Sequence, residues 1–282
     1  MAVDSDGCAM DSMGLKQRRC FIPATIDAWG LHDVEAAARE MAEFVNLHSR
    51  WRGVNRFVAL VKTFELLSRR VEVRQRSVAL PDTTALRRWL AEEPSPSNQT
   101  LVSACGRDAC GALERVLAWS REVNRRVASL ADGEVLPFPA VGSCVAAVAA
   151  VADVVVVSAA PEETLAREWS RAGLAGHARW IAGQEAGSKA VLLRALSARY
   201  APGCSLMVGD APGDLDAARE AGMLFWPICP GDEDASWRRF VPEGLERFCD
   251  GTLARAPEEA GVRTFLAGLP ETPPWPGQTH GT

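Results

Sequence analysis

Two acidic residues near the start of the chain are the first whose type and spacing suggest chemistry. Asp4 and Asp6 stand two positions apart and directly precede Gly7. One carboxylate can attack an electrophile while a second donates or accepts a proton, so paired acids suit nucleophilic and acid–base catalysis. Taken alone, the segment is equally compatible with a polar turn.

Three further features follow later in the chain: a serine after a valine run, a lysine at the start of a predicted helix, and two aspartates after an apolar run. These residues are Ser158, Lys189, Asp210 and Asp214. Open α/β sheets bind their ligands at the carboxyl ends of parallel strands. We therefore expect them to meet the Asp4 segment at one edge of a sheet. Each residue also has a structural alternative. Ser158 could cap the end of a strand and Lys189 could be a solvated helix residue. Asp210 and Asp214 could belong to a turn and to a helix N-cap.

Together these features resemble the motifs of the haloacid dehalogenase superfamily, and more narrowly its phosphatases with a helical cap after the first motif. The matching segments are Asp-x-Asp-Gly at 4–7, the serine at 158, Gly-Ser-Lys at 187–189 and Gly-Asp-x-x-x-Asp at 209–214. The resemblance implies an α/β fold with a Rossmann-like parallel sheet core and a large α-helical cap domain. It covers residues 2–13 and 137–229 and does not specify the cap.

The resemblance also implies a role for each residue. Asp4 would attack phosphorus to form an aspartyl-phosphate, and Asp6 would protonate the leaving oxygen and later deprotonate water. Ser158 would hydrogen-bond a phosphoryl oxygen, and Lys189 would neutralise charge on the phosphoryl group and on Asp4. The implied catalytic residues are Asp4, Asp6, Ser158 and Lys189; the implied substrate-binding residues are Ser158, Lys189 and Gly7.

A magnesium site follows from the same resemblance. Mg²⁺ prefers hard oxygen ligands in an octahedral arrangement and keeps several waters. The family places the ion between the Asp4 carboxylate, the Asp6 backbone carbonyl and Asp210, with Asp214 acting through water or as a positioning group. The implied metal residues are therefore Asp4, Asp6, Asp210 and Asp214.

The elements that must position these residues are predicted from hydrophobic patterning. Strands are expected at 1–3, 154–157, 180–181, 205–208 and 224–228. Helices are expected between and after them at 161–172, 189–200, 214–221, 234–248 and 257–267. Strands that alternate with helices indicate right-handed crossovers and a parallel sheet.

A long helical segment separates the first two predicted strands. Asp6 and Ser158 lie 152 positions apart, whereas a strand–helix–strand crossover needs only a few tens of residues. Helices are expected at 32–49, 54–70, from 81 and at 108–130, with a break at 92–98 and one strand candidate at 71–73. We predict a core formed by 1–15 and 138–269, a helical cap at 16–137 and an irregular tail at 270–282.

The charge distribution distinguishes these two parts. Residues 16–137 carry 19 basic and 15 acidic side chains, and the rest of the chain carries 12 and 21, for an overall net charge of −5. The acidic balance argues against a nucleic-acid partner, while a basic cap suits an anionic substrate. There is no apolar run of about 18 residues and no signal-peptide pattern, which predicts a cytoplasmic protein without a membrane partner. The composition indicates no oligomeric state.

The sequence therefore predicts a phosphoric monoester hydrolase that uses Mg²⁺ and acts on a small phosphorylated metabolite, such as a phosphoglycolate- or sugar-phosphate-like ester. Two alternatives remain: a phosphomutase with the same motifs, and a non-catalytic binding protein with the same fold. The acid at Asp6 argues against the family's dehalogenases, because a halide leaving group needs no proton.

Two further segments of the chain, at 11–12 and 50–52, are interpreted as structural. Asp11 and Ser12 match the family's stretch between the first motif and the cap, for which a structural role is favoured over a catalytic one. Trp51, flanked by Arg50 and Arg52, is favoured as a packed core residue over a residue that lines a cap pocket.

Overall fold

A computed structural model gives the structure of residues 1–106, 111–131, 133–253 and 255–274. Within these residues five strands form one parallel sheet in the order β3-β2-β1-β4-β5. The strands are β1 (Ala2–Val3), β2 (Val155–Val157), β3 (Trp180–Ala182), β4 (Leu206–Gly209) and β5 (Leu224–Pro227). The predicted α/β class and parallel sheet are confirmed.

The shortest strand lies at the centre of the sheet. β1 pairs with both β2 and β4, which places Val3 opposite Val156 on one side and Val208 on the other. The next residue continues the pairing, because the Asp4 amide donates to the Val208 carbonyl at 3.0 Å. Two residues suffice for β1 because both of its edges are hydrogen-bonded.

Fifteen helices are assigned over the same described residues. They are α1 (Met13–Lys16), α2 (Ile22–Trp29), α3 (Glu35–Leu47), α4 (Arg56–Leu67), α5 (Val71–Gln75), α6 (Thr84–Glu92), α7 (Asn98–Cys105), α8 (Ala112–Ala128), α9 (Val141–Ala149), α10 (Glu162–Arg171), α11 (Lys189–Ser197), α12 (Pro212–Glu220), α13 (Glu233–Arg239), α14 (Glu246–Cys249) and α15 (Arg255–Ala267). Turns of π-helix at Gln17–Phe21 and Phe240–Leu245 join α1 to α2 and α13 to α14.

Two predictions on the helical segment are corrected or limited by these bounds. The strand candidate at 71–73 is wrong, since Val71–Gln75 is the helix α5. Val73 is buried while Val71 is 51% exposed, whereas both would share one face of a strand. The predicted helix at 108–130 begins instead at Ala112, after Gly111 in the left-handed region, and 107–110 lie outside the described residues.

The sheet is covered by apolar side chains on both faces, as expected for parallel strands. Val3, Val156 and Val208 pack on one face with Trp169 and Trp237. On the other face the core contains Ala2, Val155, Met207, Phe225, Leu192 and Phe265. The continuous valine run of β2 follows from this two-sided burial.

The helices α2 to α8 form a separate apolar core made of residues from 21 to 127, whereas α9 packs in the core of the sheet. Aromatic rings dominate its centre: Trp119 contacts Phe21, Trp29 and Phe57 with ring centroids 5.9–6.5 Å apart. The helical hydrogen bonding that starts at Met13 runs on to Trp29, past the predicted start of the cap at 16. The division into 1–15 with 138–269 and 16–137 stays a prediction. Of the predicted tail, only 270–274 lie within the described residues.

No helix among the described residues combines the length and the hydrophobicity needed to cross a membrane.

Replacing Trp119 by alanine should lower the free energy of unfolding by about 3–5 kcal/mol, because a buried indole is lost from the aromatic cluster. The substitution also leaves the Thr25 hydroxyl without the indole N–H that it accepts at 3.0 Å. Urea unfolding followed by circular dichroism measures the loss. Trp180, which is 44% exposed, is the matched control, and its alanine variant should lose about 1 kcal/mol or less. Equal losses in both variants would contradict the packing described.

Candidate active site

The predicted site residues meet at the carboxyl edge of the sheet. Asp4 follows β1, Ser158 follows β2 and Asp210 follows β4, and these three strands are adjacent and parallel. Lys189 is the first residue of α11, and Asp214 lies in the first turn of α12. Parallel pairing thus brings together residues that are more than 200 positions apart in the chain.

Lys189 links two of the acids directly. Its Nζ lies 2.7 Å from Asp4 Oδ2 and 2.5 Å from Asp214 Oδ1. The other Asp4 oxygen, Oδ1, accepts the Ser5 amide at 2.7 Å. Asp214 Oδ2 accepts the Ala211 amide at 3.1 Å, so Asp214 caps its own helix while it holds the lysine. Burial alone would lower the pKa of Lys189, but the charges of Asp214 and Asp4 outweigh it and raise that pKa.

Three buried carboxylates form a compact acidic cluster. Asp4, Asp210 and Asp214 each offer an oxygen within 4.8 Å of the others. Burial raises the pKa of Asp4 well above its ordinary value, and the two neighbouring carboxylates add to this against the effect of Lys189. Burial likewise raises the pKa of Asp210 to about 6, although the Arg52 guanidinium opposes it.

The cluster fits a hard divalent cation. Asp210 Oδ1 is sealed from solvent and has no hydrogen-bond partner. A buried carboxylate oxygen without a partner is costly, and a bound cation would satisfy it. An all-oxygen set of carboxylates matches the preference of Mg²⁺.

Asp6 lies in a different environment from Asp4. Its Oδ1 accepts from Lys16 Nζ at 2.6 Å and from the Ser12 hydroxyl, and its carboxylate is not part of the acidic cluster. Lys16 also lies 3.1 Å from Glu168 Oε1. Burial alone would raise the pKa of Asp6, but the charge and hydrogen bond of Lys16, aided by Ser12, hold it below its ordinary value.

Ser158 and Gly7 lie in the segments that follow β2 and β1. Ser158 is buried, its amide donates to the Ala182 carbonyl at 3.1 Å, and its hydroxyl accepts the Ala160 amide at 3.3 Å. Gly7 has a φ of +78°, and a Cβ there would lie 2.5 Å from Arg52 Nη2. Gly7 therefore provides space for an arginine; the predicted contact of either residue with substrate stays a prediction.

Sequence reasoning missed two cations of this site. Lys16 is one of only three lysines in the chain, which is a signal that could have found it, whereas Arg52 is hidden among 28 arginines. Arg52 Nε and Nη2 lie 2.7 and 2.6 Å from Asp210 Oδ2. Its neighbour Trp51 is partly buried and packs edge-on against Phe44, beside the apolar core of the helical segment; its interpretation as a core residue stays a prediction. The Ser12 hydroxyl donates to Asp6 Oδ1, and the structural role predicted for Asp11 and Ser12 stays a prediction.

Comparison with known proteins gives matches in fold alone. No protein-family model matches the sequence, and no curated protein does. A haloacid dehalogenase-like family hydrolase from Xanthomonas campestris aligns with a TM-score of 0.46 at 12% identity, covering 89% of this chain and 91% of that one. A predicted phosphoglycolate phosphatase from Haemophilus somnus aligns with a TM-score of 0.49 at 14% identity, covering 81% and 84%. A haloacid dehalogenase-like hydrolase from Streptococcus pneumoniae gives 0.43 and 13%, covering 86% and 90%.

The fold is assigned from the chain itself, since these identities and TM-scores are low. The central β1, the helical segment that follows it and the motif residues after β1, β2 and β4 are all seen in this structure. The chain has a haloacid dehalogenase-like fold.

Replacing Lys16 by methionine should lower the free energy of unfolding by about 2–3 kcal/mol near neutral pH, because Asp6 and Glu168 then face each other without a cation. The loss is at the low end for a buried pair because the Asp6 side chain is 24% exposed. Urea unfolding of both proteins measures it. Lys62→Met is the matched control: Lys62 pairs with Glu65 at the partly exposed surface, so its loss should stay below about 1 kcal/mol.

The effect of Lys16→Met should depend on pH. The folded pKa of Asp6 is lowered, so the stability that Asp6 contributes is complete above its unfolded pKa of about 3.9 and is lost as the pH falls through the folded value. The unfolded states of wild type and variant titrate alike, so the difference in their unfolding free energy follows the folded pKa values. Without Lys16, burial raises the pKa of Asp6 and of Glu168 with less opposition. The difference should therefore shrink progressively as the pH falls from 7 to 3. A difference that stays constant from pH 7 to pH 3 would contradict this assignment of the ion pair.

Proposed function

We propose that the protein is a magnesium-dependent phosphohydrolase that cleaves a small phosphorylated metabolite, a phosphoglycolate- or sugar-phosphate-like monoester, through an aspartyl-phosphate. The observation that carries this proposal is the ammonium of Lys189 bound to both Asp4 and Asp214 inside the acidic cluster. Phosphoryl transfer needs a nucleophile, charge neutralisation and a proton for the leaving oxygen. Each has a candidate at this edge of the sheet.

Asp4 is the proposed nucleophile. A carboxylate oxygen of Asp4 forms a bond to phosphorus while the bond from phosphorus to the leaving oxygen breaks. Lys189 already contacts Asp4 and stays beside it to neutralise charge on the phosphoryl group. Ser158 ends the adjacent strand and donates its hydroxyl to a phosphoryl oxygen. Water then attacks the aspartyl-phosphate and regenerates Asp4.

Asp6 is the proposed acid–base group. Its lowered pKa makes it a carboxylate in the arrangement described, which is the form that removes a proton from the attacking water. To protonate the leaving oxygen in the first step, Asp6 must be protonated and must part from Lys16. The two half-reactions thus require opposite protonation states of one side chain.

The residues that would hold Mg²⁺ are Asp4, Asp210 and the backbone carbonyl of Asp6, with Asp214 beside them. When bound, Mg²⁺ would offset the clustered negative charge and screen the anionic substrate from the nucleophile. The fit is supported by the unpartnered Oδ1 of Asp210 and by the all-oxygen donor set. The basic surplus of residues 16–137 supports an anionic substrate that binds between this segment and the sheet edge.

Replacing Asp4 by asparagine should reduce phosphate release by about 10³-fold or more, because the amide cannot attack phosphorus. The assay is phosphate release from a panel of phosphorylated metabolites with Mg²⁺. Asp11→Asn is the matched control: Asp11 is an exposed acid of the same loop, and its variant should keep the wild-type rate. No release from any ester by the wild type, or full activity in Asp4→Asn, would overturn the proposal. An isomerised phosphate ester as product would instead identify a phosphomutase.

Chelation of divalent cations should abolish phosphate release, and added Mg²⁺ should restore it, because without a cation three buried carboxylates repel an anionic substrate. The measurement is the rate after treatment with EDTA, before and after stepwise addition of MgCl₂. Circular dichroism of the treated protein is the control that it stays folded. An undiminished rate in EDTA would contradict the assignment of the acidic cluster as a magnesium site.

A further inference from the structure

We propose that Arg52, a residue of the helical segment outside the sheet, is a positioning residue for Mg²⁺. Its guanidinium holds Asp210 by one carboxylate oxygen and leaves the other for the cation. The metal site would then be completed by the segment 16–137 rather than by the sheet edge alone. This inference rests on the magnesium site of the proposed function and assigns one more residue to it.

The contacts of Arg52 divide the two oxygens of Asp210. Arg52 Nε and Nη2 both reach Oδ2, at 2.7 and 2.6 Å, and Nε also lies 3.2 Å from the Asp210 carbonyl. Oδ1 is buried and has no hydrogen-bond partner. The side chains of Arg52 and Asp210 are 4% and 0% exposed. A fork on one oxygen fixes the carboxylate plane and directs the free oxygen.

The guanidinium is itself held from both parts of the chain. Nη1 donates to the Leu47 carbonyl at the end of α3, at 3.1 Å, and Nη2 lies 3.4 Å from the Gly7 carbonyl. Glu233 Oε1 lies 4.0 Å from Nη2. Arg52 therefore spans from the end of a helix in the segment 16–137 to the loop that follows β1.

Two glycines allow this approach. A Cβ at Gly7 would lie 2.5 Å from Arg52 Nη2 and 2.7 Å from Asp210 Oδ2. A Cβ at Gly53 would lie 2.5 Å from the Cβ of Ala211, the residue after Asp210. The loop that carries Arg52 is thus seated against the Asp210 loop at a distance that no side chain would permit.

The contact between Arg52 and Asp210 has two other interpretations, and each predicts a different effect of removing Arg52 on Mg²⁺ binding. If Arg52 only displaces the cation electrostatically, its removal would tighten Mg²⁺ binding. If Arg52 only ties two parts of the fold together, its removal would lower stability and leave the Mg²⁺ affinity unchanged. The free Oδ1 favours positioning, because it remains available to a cation while Arg52 binds Oδ2.

The test is Mg²⁺ binding by the full chain, measured by isothermal titration calorimetry without substrate. Arg52→Met should weaken Mg²⁺ binding about tenfold or more, as is common when a partner of a metal ligand is removed. Arg52→Lys should weaken it less, because an ammonium keeps the charge but not the fork. Arg50→Met is the matched control and should bind as the wild type does, since the exposed Arg50 donates from Nε to the Leu269 carbonyl, away from Asp210.

A second pair of variants keeps Arg52 and moves its loop. Gly53→Ala should weaken Mg²⁺ binding because its Cβ meets Ala211. Gly30→Ala has a similar backbone cost, since both glycines have a left-handed φ of +74° and +64°, but nothing lies within 4 Å of its Cβ. Gly30→Ala should therefore bind Mg²⁺ as the wild type does. Melting temperatures in EDTA show which variants are folded and report any purely structural loss.

Three results would overturn the inference: tighter binding in Arg52→Met, equal binding in Arg52→Met and wild type, or no Mg²⁺ binding by the wild type. If the wild type binds Mg²⁺, Arg52→Met loses that binding and the wild type hydrolyses no ester, the proposed function is contradicted and the inference on Arg52 is supported. Because the readout is cation binding without substrate, the two failures are distinguishable.

Discussion

The pairing of Lys189 with two buried aspartates is the interaction on which the site depends. Charges removed from water cost several kcal/mol each unless partners compensate them. Here the Lys189 ammonium pairs with both Asp4 and Asp214, and the Arg52 guanidinium pairs with Asp210. Three acids thus face two cations, and one carboxylate oxygen is left without a partner. The excess negative charge lies at the position where a divalent cation would compensate it.

The sheet meets this electrostatic requirement by its strand order rather than by its size. A two-residue central strand can hold Asp4 in place only because β2 and β4 bind it from both sides. The same order sets Ser158 and Asp210 on either side of Asp4. The long helical segment leaves the sheet right after this strand, so it emerges at the edge that carries the acidic cluster. Lys16 and Arg52 can therefore reach Asp6 and Asp210.

The amino-acid sequence is sufficient to predict those parts of the site in which local pattern and position coincide. The valine run of β2 and the acids that follow apolar strands are enough to identify the edge of the sheet. Arg52 cannot be found this way, because its role depends on a tertiary approach that Gly53 permits and that no periodicity records. The strand candidate at 71–73 fails for a related reason: packing buries Val73 and leaves Val71 exposed, which overrides β-propensity.

Asp4 and Asp6 show how different surroundings give two like carboxyl groups different pKa values. Asp4 and Asp6 are two residues apart, yet burial raises the pKa of Asp4 while Lys16 lowers that of Asp6. Separation of paired carboxyl groups by their surroundings is what assigns acid and base roles. The charge of Lys189 opposes the effect of burial on the pKa of Asp4, whereas at Asp6 the charge and hydrogen bond of Lys16 outweigh it. A cation at the cluster would favour the ionised form of Asp4 and leave the contact of Asp6 with Lys16 unchanged.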